Sequence, residues 1–523
     1  MAQITRSRFC TSAVVASLPL LTGLWRLGHQ SLWLDESVSV RVAGLDPMSL
    51  LRRLMTSEVF NALYYTFLHV WERFGNTEVW VRIPSVAFGV AAVVTLFALN
   101  AHLFGQRIAV TAAVLLSVNA FFVRYMQEAR AYALVVLAVV AASYCFVSAL
   151  ERPSWQRWFV YGVASAVAIY AHLYAGFVIA GHLFALGWRG RRPPLRYVGI
   201  AYIVTGALVT PLLIVMIGSD SLERNFIPGP SINAIESLFL HLSGGGGVAS
   251  RESKLLLLLY FAACCGALWG VVRVALKQRK RCTDATWSCI FVLLWLAVPV
   301  VTTFAISFVR PMFYPRYLIV VLPALVTAAA IGISRLPYAL LRAVTIGMLV
   351  VLSLPALRAY YGTSIREGGD WRAATAYVAR EERRGDGIVF LSRYGRAPFE
   401  YYSNIPTTDA GLMPVYPGEA LDGSARFLGY LESESNVGVA ERLDSVTRTW
   451  AFLSWRGFDS RADDGAPIRR ALEGGFTETS RREFGPSLEV RLYERREQRH
   501  LPTTVNPSPI VTTAKLAGHD TAP

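Results

Sequence analysis

One short segment near the N-terminus places two carboxylates where they could act on a hydroxyl group. This segment is Trp33-Leu34-Asp35-Glu36-Ser37, and it lies shortly after the first long apolar run of the chain, which ends near Leu24. A carboxylate held at a membrane surface can accept a proton from a hydroxyl group, as a general base must. The alternative is that Asp35 and Glu36 only mark the end of a helix, and the spacing alone leaves both interpretations open.

Two further segments place arginines among aromatic residues, at 124–130 and at 310–317. Guanidinium groups match phosphate oxygens in geometry and charge, so both segments favour an anionic ligand such as a lipid phosphate head group. For the first segment the alternative is that its arginines form ion pairs with Glu128 or Asp35. For the second it is that its arginines extend to the membrane surface from within a belt of interfacial aromatic residues. The arginines concerned are Arg124, Arg130, Arg310 and Arg316.

The composition indicates that a membrane must position these segments. Of 523 residues, 54% are hydrophobic and 17% are charged, whereas soluble chains are about a quarter charged. Long apolar runs therefore predict that lipid covers much of the surface. The net charge of +15 could suggest nucleic acid. The basic residues mostly fall in short links between apolar runs, so membrane topology explains them better and no nucleic-acid partner is expected.

A bilayer-spanning helix needs about 20 apolar residues, and by this rule we predict about eleven spans. The first is a retained helix rather than a cleaved signal peptide, because no small-residue cleavage site follows Leu24. Basic inner links and acidic outer links predict a cytoplasmic N-terminus and a C-terminal part outside the membrane. The spans are predicted to start near Phe9, Trp80, Ile108, Ala131, Trp158, Ala175, Tyr197, Lys254, Trp287, Arg316 and Tyr338.

Six further residues fall in the predicted outer links or at their borders, at the level where a lipid head group would lie. Polar side chains there could contact the head group, and aromatic side chains could flank its tail. These candidate site residues are Glu58, Tyr64, Tyr65, Glu128, His172 and Tyr317.

The composition changes near Arg358, and the pattern after it predicts a small α/β domain. Asp370 is a candidate N-cap for an amphipathic helix over 371–380. Apolar, β-branched runs predict strands at 387–391, 450–455 and 488–493. The cysteines show no metal-binding spacing, and the C-terminal part has none, which rules out an external disulfide framework.

The motifs taken in order resemble the bacterial glycosyltransferase family 39 group of the GT-C superfamily, which is similar to protein O-mannosyltransferases and lipid A aminoarabinose transferases. The resemblance covers roughly the first 380 residues. Many members have His-Pro-Pro before Leu-Tyr-Tyr, where this chain has Phe60-Asn61-Ala62, so no role is carried over from that histidine. The matching motifs are Trp33-Leu34-Asp35-Glu36, Leu63-Tyr64-Tyr65, Leu68-His69, Arg82-Ile83-Pro84-Ser85, Phe104-Gly105, Tyr125 to Tyr132, Pro315-Arg316-Tyr317-Leu318, Leu322-Pro323 and Asp370 to Ala374.

The resemblance implies a mainly α polytopic membrane protein with a GT-C-like bundle and a C-terminal extracytoplasmic α/β domain. Residues 1–357 would be the transmembrane catalytic domain, 358–496 the extracytoplasmic domain, and 497–523 a disordered tail. The implied location is the bacterial plasma membrane. The implied reaction is inverting transfer of a sugar from a polyprenyl-phosphate donor to an extracytoplasmic acceptor. Asp35 matches the catalytic carboxylate, and Glu36 lies beside it in the same motif.

Two other classes of function stay open on the sequence. A transporter or flippase of lipid-linked sugars would use similar arginines and aromatic residues, but it needs neither the Asp-Glu pair nor a large outer domain. A scaffold or sensor with a degenerate site is the third interpretation. No nucleotide-binding loop is present, which argues against ATP-driven transport and nicotinamide chemistry. No cofactor is expected; a divalent metal is compatible with the motifs but is not indicated by them.

Overall fold

The computed structural model describes most of the chain, but not the tail at 497–523, whose predicted disorder therefore lies outside the described residues. The described residues are 2–56, 58–190, 193–217, 227, 229–245, 250–277, 283–362, 368–392, 395–403, 412–416, 439–454 and 466–496.

Helices account for almost all of the regular structure in the described residues up to 361. They are α1 (Ala2–Leu24), α2 (Leu34–Ala43), α3 (Pro47–Thr56), α4 (Ala62–Trp71), α5 (Glu78–Phe104), α6 (Gln106–Ser117), α7 (Ala120–Met126), α8 (Tyr132–Glu151), α9 (Trp155–Ala171), α10 (Ala175–Leu186), α11 (Leu195–Ile217), α12 (Ile232–Leu242), α13 (Arg251–Lys277), α14 (Asp284–Ile306), α15 (Leu322–Ser334) and α16 (Ala339–Tyr361).

Seven stretches of helix in the described residues are long and apolar enough to cross a membrane: α5, α8, α11, α13, α14, α16, and α15 together with the 3₁₀ turn before it. The pair α6 and α7 qualifies jointly as a span with a 67° bend. Eight of the eleven predicted starting points lie within helices, and the other three, Ala131, Arg316 and Tyr338, directly precede α8, the 3₁₀ turn before α15, and α16. Two of these helices, α9 with 17 residues and α10 with 12, are shorter than a full span. The prediction of a mainly helical, multi-pass membrane protein is confirmed, and the orientation of the helices stays a prediction.

The bend between α6 and α7 brings the segment 124–130 into its place. Val118 interrupts the helix, and the side chain of Asn119 then caps α7 by accepting a hydrogen bond from the Phe122 N–H at 3.0 Å. Asn119 also donates from its Nδ2 to the carbonyl of Leu242 at 2.9 Å. A side-chain cap satisfies backbone groups that a broken helix exposes, so Asn119 fixes where α7 restarts.

The C-terminal domain contains a five-stranded sheet in the order β2-β1-β3-β5-β4. β1 pairs in parallel with β2 and β3, whereas β5 is antiparallel to β3 and β4. Its elements are α17 (Trp371–Glu381), β1 (Gly387–Phe390), α18 (Arg396–Ser403), β2 (Met413–Tyr416), α19 (Val439–Asp444), β3 (Arg448–Ser454), α20 (Ala466–Gly475), β4 (Phe476–Glu483) and β5 (Leu488–Arg495).

Most of the predicted elements of this domain are confirmed. The side chain of Asp370 caps α17 by accepting from the Ala373 N–H at 3.1 Å, and β1, β3 and β5 lie where strands were predicted. Of the predicted strand at 450–455, Trp455 lies outside the described residues. The sequence missed β2 and β4 because both are edge strands: β2 is short and contains Pro414, and β4 buries only its first residue.

A buried carboxyl in the link between α4 and α5 makes the stability depend on pH. Burial raises the pKa of Glu72 to about 8. Oε1 of Glu72 is buried without a hydrogen-bond partner among the described residues. Because the folded pKa lies above the unfolded one, this group favours folding most below its unfolded pKa of 4.5 and loses that contribution as pH rises to about 8.

We therefore expect Glu72→Gln, which mimics the neutral acid, to raise the melting temperature at pH 9 and to leave it almost unchanged at pH 5. Thermal unfolding of the purified protein in detergent at both pH values measures this. Equal melting-temperature changes at the two pH values would contradict the assignment.

Candidate functional site

Asp35 lies in the first turn of α2, where it meets two arginines from distant parts of the chain. Arg316 donates from Nη1 to Oδ2 of Asp35 at 3.0 Å. Nη2 of Arg130 lies 3.9 Å from the same oxygen. The Asp35 side chain is 29% exposed, so the carboxylate is accessible to a substrate although both arginines are mostly buried. The structure thus joins three of the predicted site residues into one cluster.

Arg130 is held by hydroxyl groups from α2 and α4. Its Nη1 donates to the hydroxyl of Tyr65 at 3.0 Å and to Oγ of Ser39 at 3.2 Å. Glu58 lies close enough to stabilise the Arg130 cation electrostatically, and its Oε2 accepts from Asn61 at 3.1 Å. Burial raises the pKa of the Tyr65 hydroxyl, which therefore stays neutral beside the charged groups.

Aromatic rings surround Arg316. Its guanidinium carbon lies 4.8 Å from the ring centroid of Tyr314, 5.8 Å from that of Trp33 and 5.9 Å from that of Tyr317. The ring of His172 lies 5.3 Å from that of Tyr317. Cation–π contacts of this kind hold a cation in place without neutralising its charge. Two further predicted residues, His172 and Tyr317, therefore belong to the wall of the site.

Both arginines at Asp35 keep hydrogen-bonding capacity that the protein does not use. Nε of Arg130 and Nε of Arg316 are buried without a hydrogen-bond partner among the described residues, and so is Nε1 of Trp33. Burial alone lowers the pKa of an arginine, yet tyrosines and Asp35 hold the pKa of both above the ordinary value. Unsatisfied buried donors are rare in native proteins, so this arrangement indicates a place for an anionic ligand.

Glu36, the neighbour of Asp35, points into the protein instead. Its side chain is fully buried, and Arg82 donates to both of its carboxylate oxygens at 2.7 Å. The Ala129 N–H adds a third hydrogen bond at 2.9 Å. Arg82 in turn donates to the carbonyls of Leu27 and Gln30. This ion pair joins α2 and α5 to the segment 124–130. Glu36 therefore stabilises the structure around Asp35, but its own carboxylate is not accessible to a substrate.

We expect Glu36→Gln to destabilise the protein by about 3–5 kcal/mol, because it leaves Arg82 as a buried charge without a counter-ion. Thermal or denaturant unfolding in detergent checks this. The matched control is Glu151→Gln, whose carboxylate pairs with His102 but is 44% exposed and should cost less than about 1 kcal/mol. A loss for Glu36→Gln no larger than for the control would contradict the structural role.

Arg124 also lies near Trp33, and it lines a cavity whose lining does not include Asp35. Nε of Arg124 donates to Oε1 of buried Glu128 at 3.0 Å, and the guanidinium carbon lies 6.0 Å from the Trp33 ring centroid. The cavity has a volume of about 230 Å³ and lies between α7, α12, α16 and the start of α13. Its lining includes Arg124, Phe121, His241, Ser253, Ala356 and Tyr360.

Two further predicted residues, Tyr64 and Arg310, have other surroundings. Tyr64 is buried with its hydroxyl 3.2 Å from Oγ of Ser85. Arg310 is exposed, on the turn after α14, and its role as a phosphate ligand stays a prediction. Among the described residues, no group of three or more His, Cys, Asp or Glu side chains could hold a metal ion.

Sequence reasoning did not single out Trp33, Ser39, Arg82 or Tyr132 as site residues. The signal for Trp33 was present, since it opens the same motif as Asp35. Tyr132 lies at the start of α8, with the Arg130 guanidinium carbon 5.9 Å from its ring centroid. Arg82 also opens a matching motif, but its contact with Glu36 follows only from the fold. Ser39, which accepts from Arg130, carried no signal in the sequence.

Comparisons with known proteins identify one family model and two solved structures that resemble this chain. The family model for dolichyl-phosphate-mannose-protein mannosyltransferase matches residues 63–217. No curated protein sequence matches the chain. ArnT from Cupriavidus metallidurans matches with TM-scores of 0.57 in the apo state and 0.55 bound to undecaprenyl phosphate, at 13% identity over 92% of this chain and 97% of ArnT.

A second solved structure shows the same architecture. The oligosaccharyltransferase of Archaeoglobus fulgidus, in complex with Zn and sulfate, matches with a TM-score of 0.50 at 13% identity. The match covers 84% of this chain and 67% of that protein. The resemblance predicted from the motifs is therefore confirmed at the level of fold: the chain shares the fold of ArnT and of the archaeal oligosaccharyltransferase.

Proposed function

We propose that this chain is an inverting glycosyltransferase that moves a monosaccharide from a polyprenyl-phosphate donor to an acceptor outside the cytoplasm, at the bacterial plasma membrane. The observation that carries the proposal is the convergence of Asp35 with two buried arginines that keep unused N–H donors. A carboxylate and fixed cations are the two kinds of group that this reaction needs, and both arginines lie within 4 Å of Asp35.

In the proposed reaction Asp35 accepts the proton of an acceptor hydroxyl. That oxygen forms a bond to the anomeric carbon, on the face opposite the phosphate, while the bond between this carbon and the phosphate oxygen breaks. Polyprenyl phosphate leaves with the electron pair, and Arg130 and Arg316 stabilise its charge through the N–H donors described above. Because both cations are fixed before the reaction, little reorganisation is needed when the charge develops.

The anion proposed for the arginine cluster is a lipid phosphate for two reasons. The aromatic rings of Trp33, Tyr314 and Tyr317 line the same cluster, and such rings suit the border between head group and lipid tail. Undecaprenyl phosphate is also the ligand of the structurally similar ArnT. The donor carries its own activated leaving group, so the mechanism needs no nucleotide.

The test is transfer by membranes that contain the chain, supplied with undecaprenyl-phosphate sugars labelled in the sugar. We expect the label to leave the prenyl lipid and appear on a cell-envelope glycan, lipid or protein. A flippase would instead move the labelled lipid between leaflets with its sugar–phosphate bond intact. Binding of the donor without transfer to any envelope component would favour the scaffold interpretation.

A further inference from the structure

The C-terminal domain is built around the residues that flank Asp35. Leu34, the residue before Asp35, is only 6% exposed and belongs to the hydrophobic core of that domain, together with Trp371 and Phe399. A residue from the N-terminal part of the chain thus completes a core almost 340 residues further along. Removing a buried leucine from such a core leaves a cavity and a loss of packing, so the position of Leu34 is strongly specified.

Hydrogen bonds attach the chain just before Asp35 to the same domain. Oγ of Ser31 accepts from the Trp371 N–H and donates to the Gly369 carbonyl, both at 3.2 Å. The hydroxyl of Tyr402 accepts from the Leu32 N–H at 2.6 Å. These bonds hold the backbone on the N-terminal side of α2.

The far end of α2 is attached by an ion pair. Nη2 of Arg41 lies 2.9 Å from Oε2 of Glu400 on α18, and Nε of Arg396 lies 2.7 Å from the other oxygen of that carboxylate. The Glu400 side chain is 2% exposed. A charge-assisted bond at this depth resists displacement better than a surface ion pair does.

A helix as short as α2 needs such support. It has ten residues, and isolated helices shorter than about 12 residues are marginal in water. The C-terminal domain holds α2 at both ends, while Arg130 and Arg316 approach Asp35 from the membrane part of the chain. The carboxylate therefore lies at the junction of two bodies, and its distance to the arginines depends on how they fit together.

We propose that the C-terminal domain positions the general base, with Glu400 and Leu34 as positioning residues that act through α2. This inference rests on the proposed function of Asp35. It makes the domain part of the catalytic unit rather than an attached module that binds carbohydrate. A displacement of about 1 Å at a reacting group can cost on the order of 100-fold in rate, so even a small loosening of α2 should be visible in kcat.

The test compares Glu400→Gln with a matched control, Asp386→Asn. Asp386 is also buried in the C-terminal domain, where its Oδ2 accepts from Trp450 at 3.0 Å and lies 3.7 Å from Arg448, but none of these partners belongs to α2. Hydrogen–deuterium exchange of the full-length protein measures the mobility of residues 30–43 directly. Turnover and KM for an undecaprenyl-phosphate sugar are measured on the same samples.

We expect Glu400→Gln to accelerate exchange in α2, to lower kcat by roughly 10- to 100-fold and to leave KM for the donor nearly unchanged. Asp386→Asn should change exchange only within the C-terminal domain and should largely preserve kcat. The double variant Arg41→Gln/Glu400→Gln should be no slower than Glu400→Gln alone, because both changes remove the same contact.

Unchanged exchange in α2 of Glu400→Gln would overturn the proposal, and so would faster exchange accompanied by wild-type turnover. Equal losses of kcat in Glu400→Gln and Asp386→Asn would also overturn it, since the effect would then be general destabilisation. If Glu400→Gln does not fold, Leu34→Val serves as the second variant with the same readouts. Failure of the proposed function of Asp35 is recognised separately. In that case Asp35→Asn keeps wild-type turnover, while Glu400→Gln still accelerates hydrogen exchange in α2 and Asp386→Asn does not.

Discussion

Asp35→Asn is expected to abolish sugar transfer while donor binding survives. Asparagine has the same shape but cannot accept the acceptor's proton, and loss of a general base typically costs about 10²- to 10⁴-fold in rate. The change also removes the negative charge that lies 3.0 Å from Arg316 and 3.9 Å from Arg130. The site becomes more positive, so affinity for a phosphate-bearing donor should stay the same or rise.

Two measurements on purified protein separate these effects. Single-turnover transfer from labelled donor gives the rate of the chemical step, and equilibrium binding of undecaprenyl phosphate gives the affinity. The matched control is Asp46→Asn, in the turn between α2 and α3. Asp46 is exposed and caps the start of α3 through the N–H groups of Met48 and Ser49, a role that asparagine can also fill. Full turnover by Asp35→Asn would remove the general-base assignment.

Arg316→Gln is expected to lower kcat by about 10²- to 10³-fold, the usual cost of losing one preorganised group that stabilises developing charge. Unlike Asp35→Asn, it should also weaken the binding of undecaprenyl phosphate, because the same guanidinium binds the phosphate before and after the reaction. Arg316→Lys should recover only part of the activity. An ammonium keeps the charge but has no planar fork of N–H donors and does not stack on the surrounding rings in the same way.

The control for Arg316 is Arg358→Gln, which removes an exposed arginine near the end of α16. Transfer and binding by this variant should remain close to wild type. If Arg316→Gln and Arg358→Gln reduce binding equally, the effect of Arg316 is only a change in net charge. If Arg316→Gln binds and transfers normally, the leaving phosphate is not held at this cluster.

The sequence predicted the architecture well because its main signals are local. Apolar runs of span length and a capped amphipathic helix after Asp370 depend on neighbouring residues, and the structure contains helices at each of these positions. The edge strands β2 and β4 were missed for the opposite reason. Each pairs with only one neighbour and buries few side chains, so neither carries the alternating pattern from which strands are recognised.

The distinction between Asp35 and Glu36 could not be predicted. Adjacent residues on a helix point in directions about 100° apart, so the two carboxylates must face different surroundings. Which of them turns inward is decided by Arg82, which lies 46 residues further along and donates to Glu36 at 2.7 Å. For the arginine segment 124–130 the structure shows the pairing interpretation: Arg124 pairs with Glu128, and Arg130 lies 3.9 Å from Asp35. An anionic ligand of these arginines stays a prediction.

The place of Leu34 in the C-terminal core has a consequence for how the protein is made. Ser31 bonds to Trp371 across 340 residues of chain, and ribosomes add roughly 5–20 residues per second. A nascent polypeptide therefore carries its acidic motif for many seconds before the partners that orient it have been synthesised. On the positioning role proposed for the C-terminal domain, sugar transfer is expected only after these partners have been synthesised and have packed against α2.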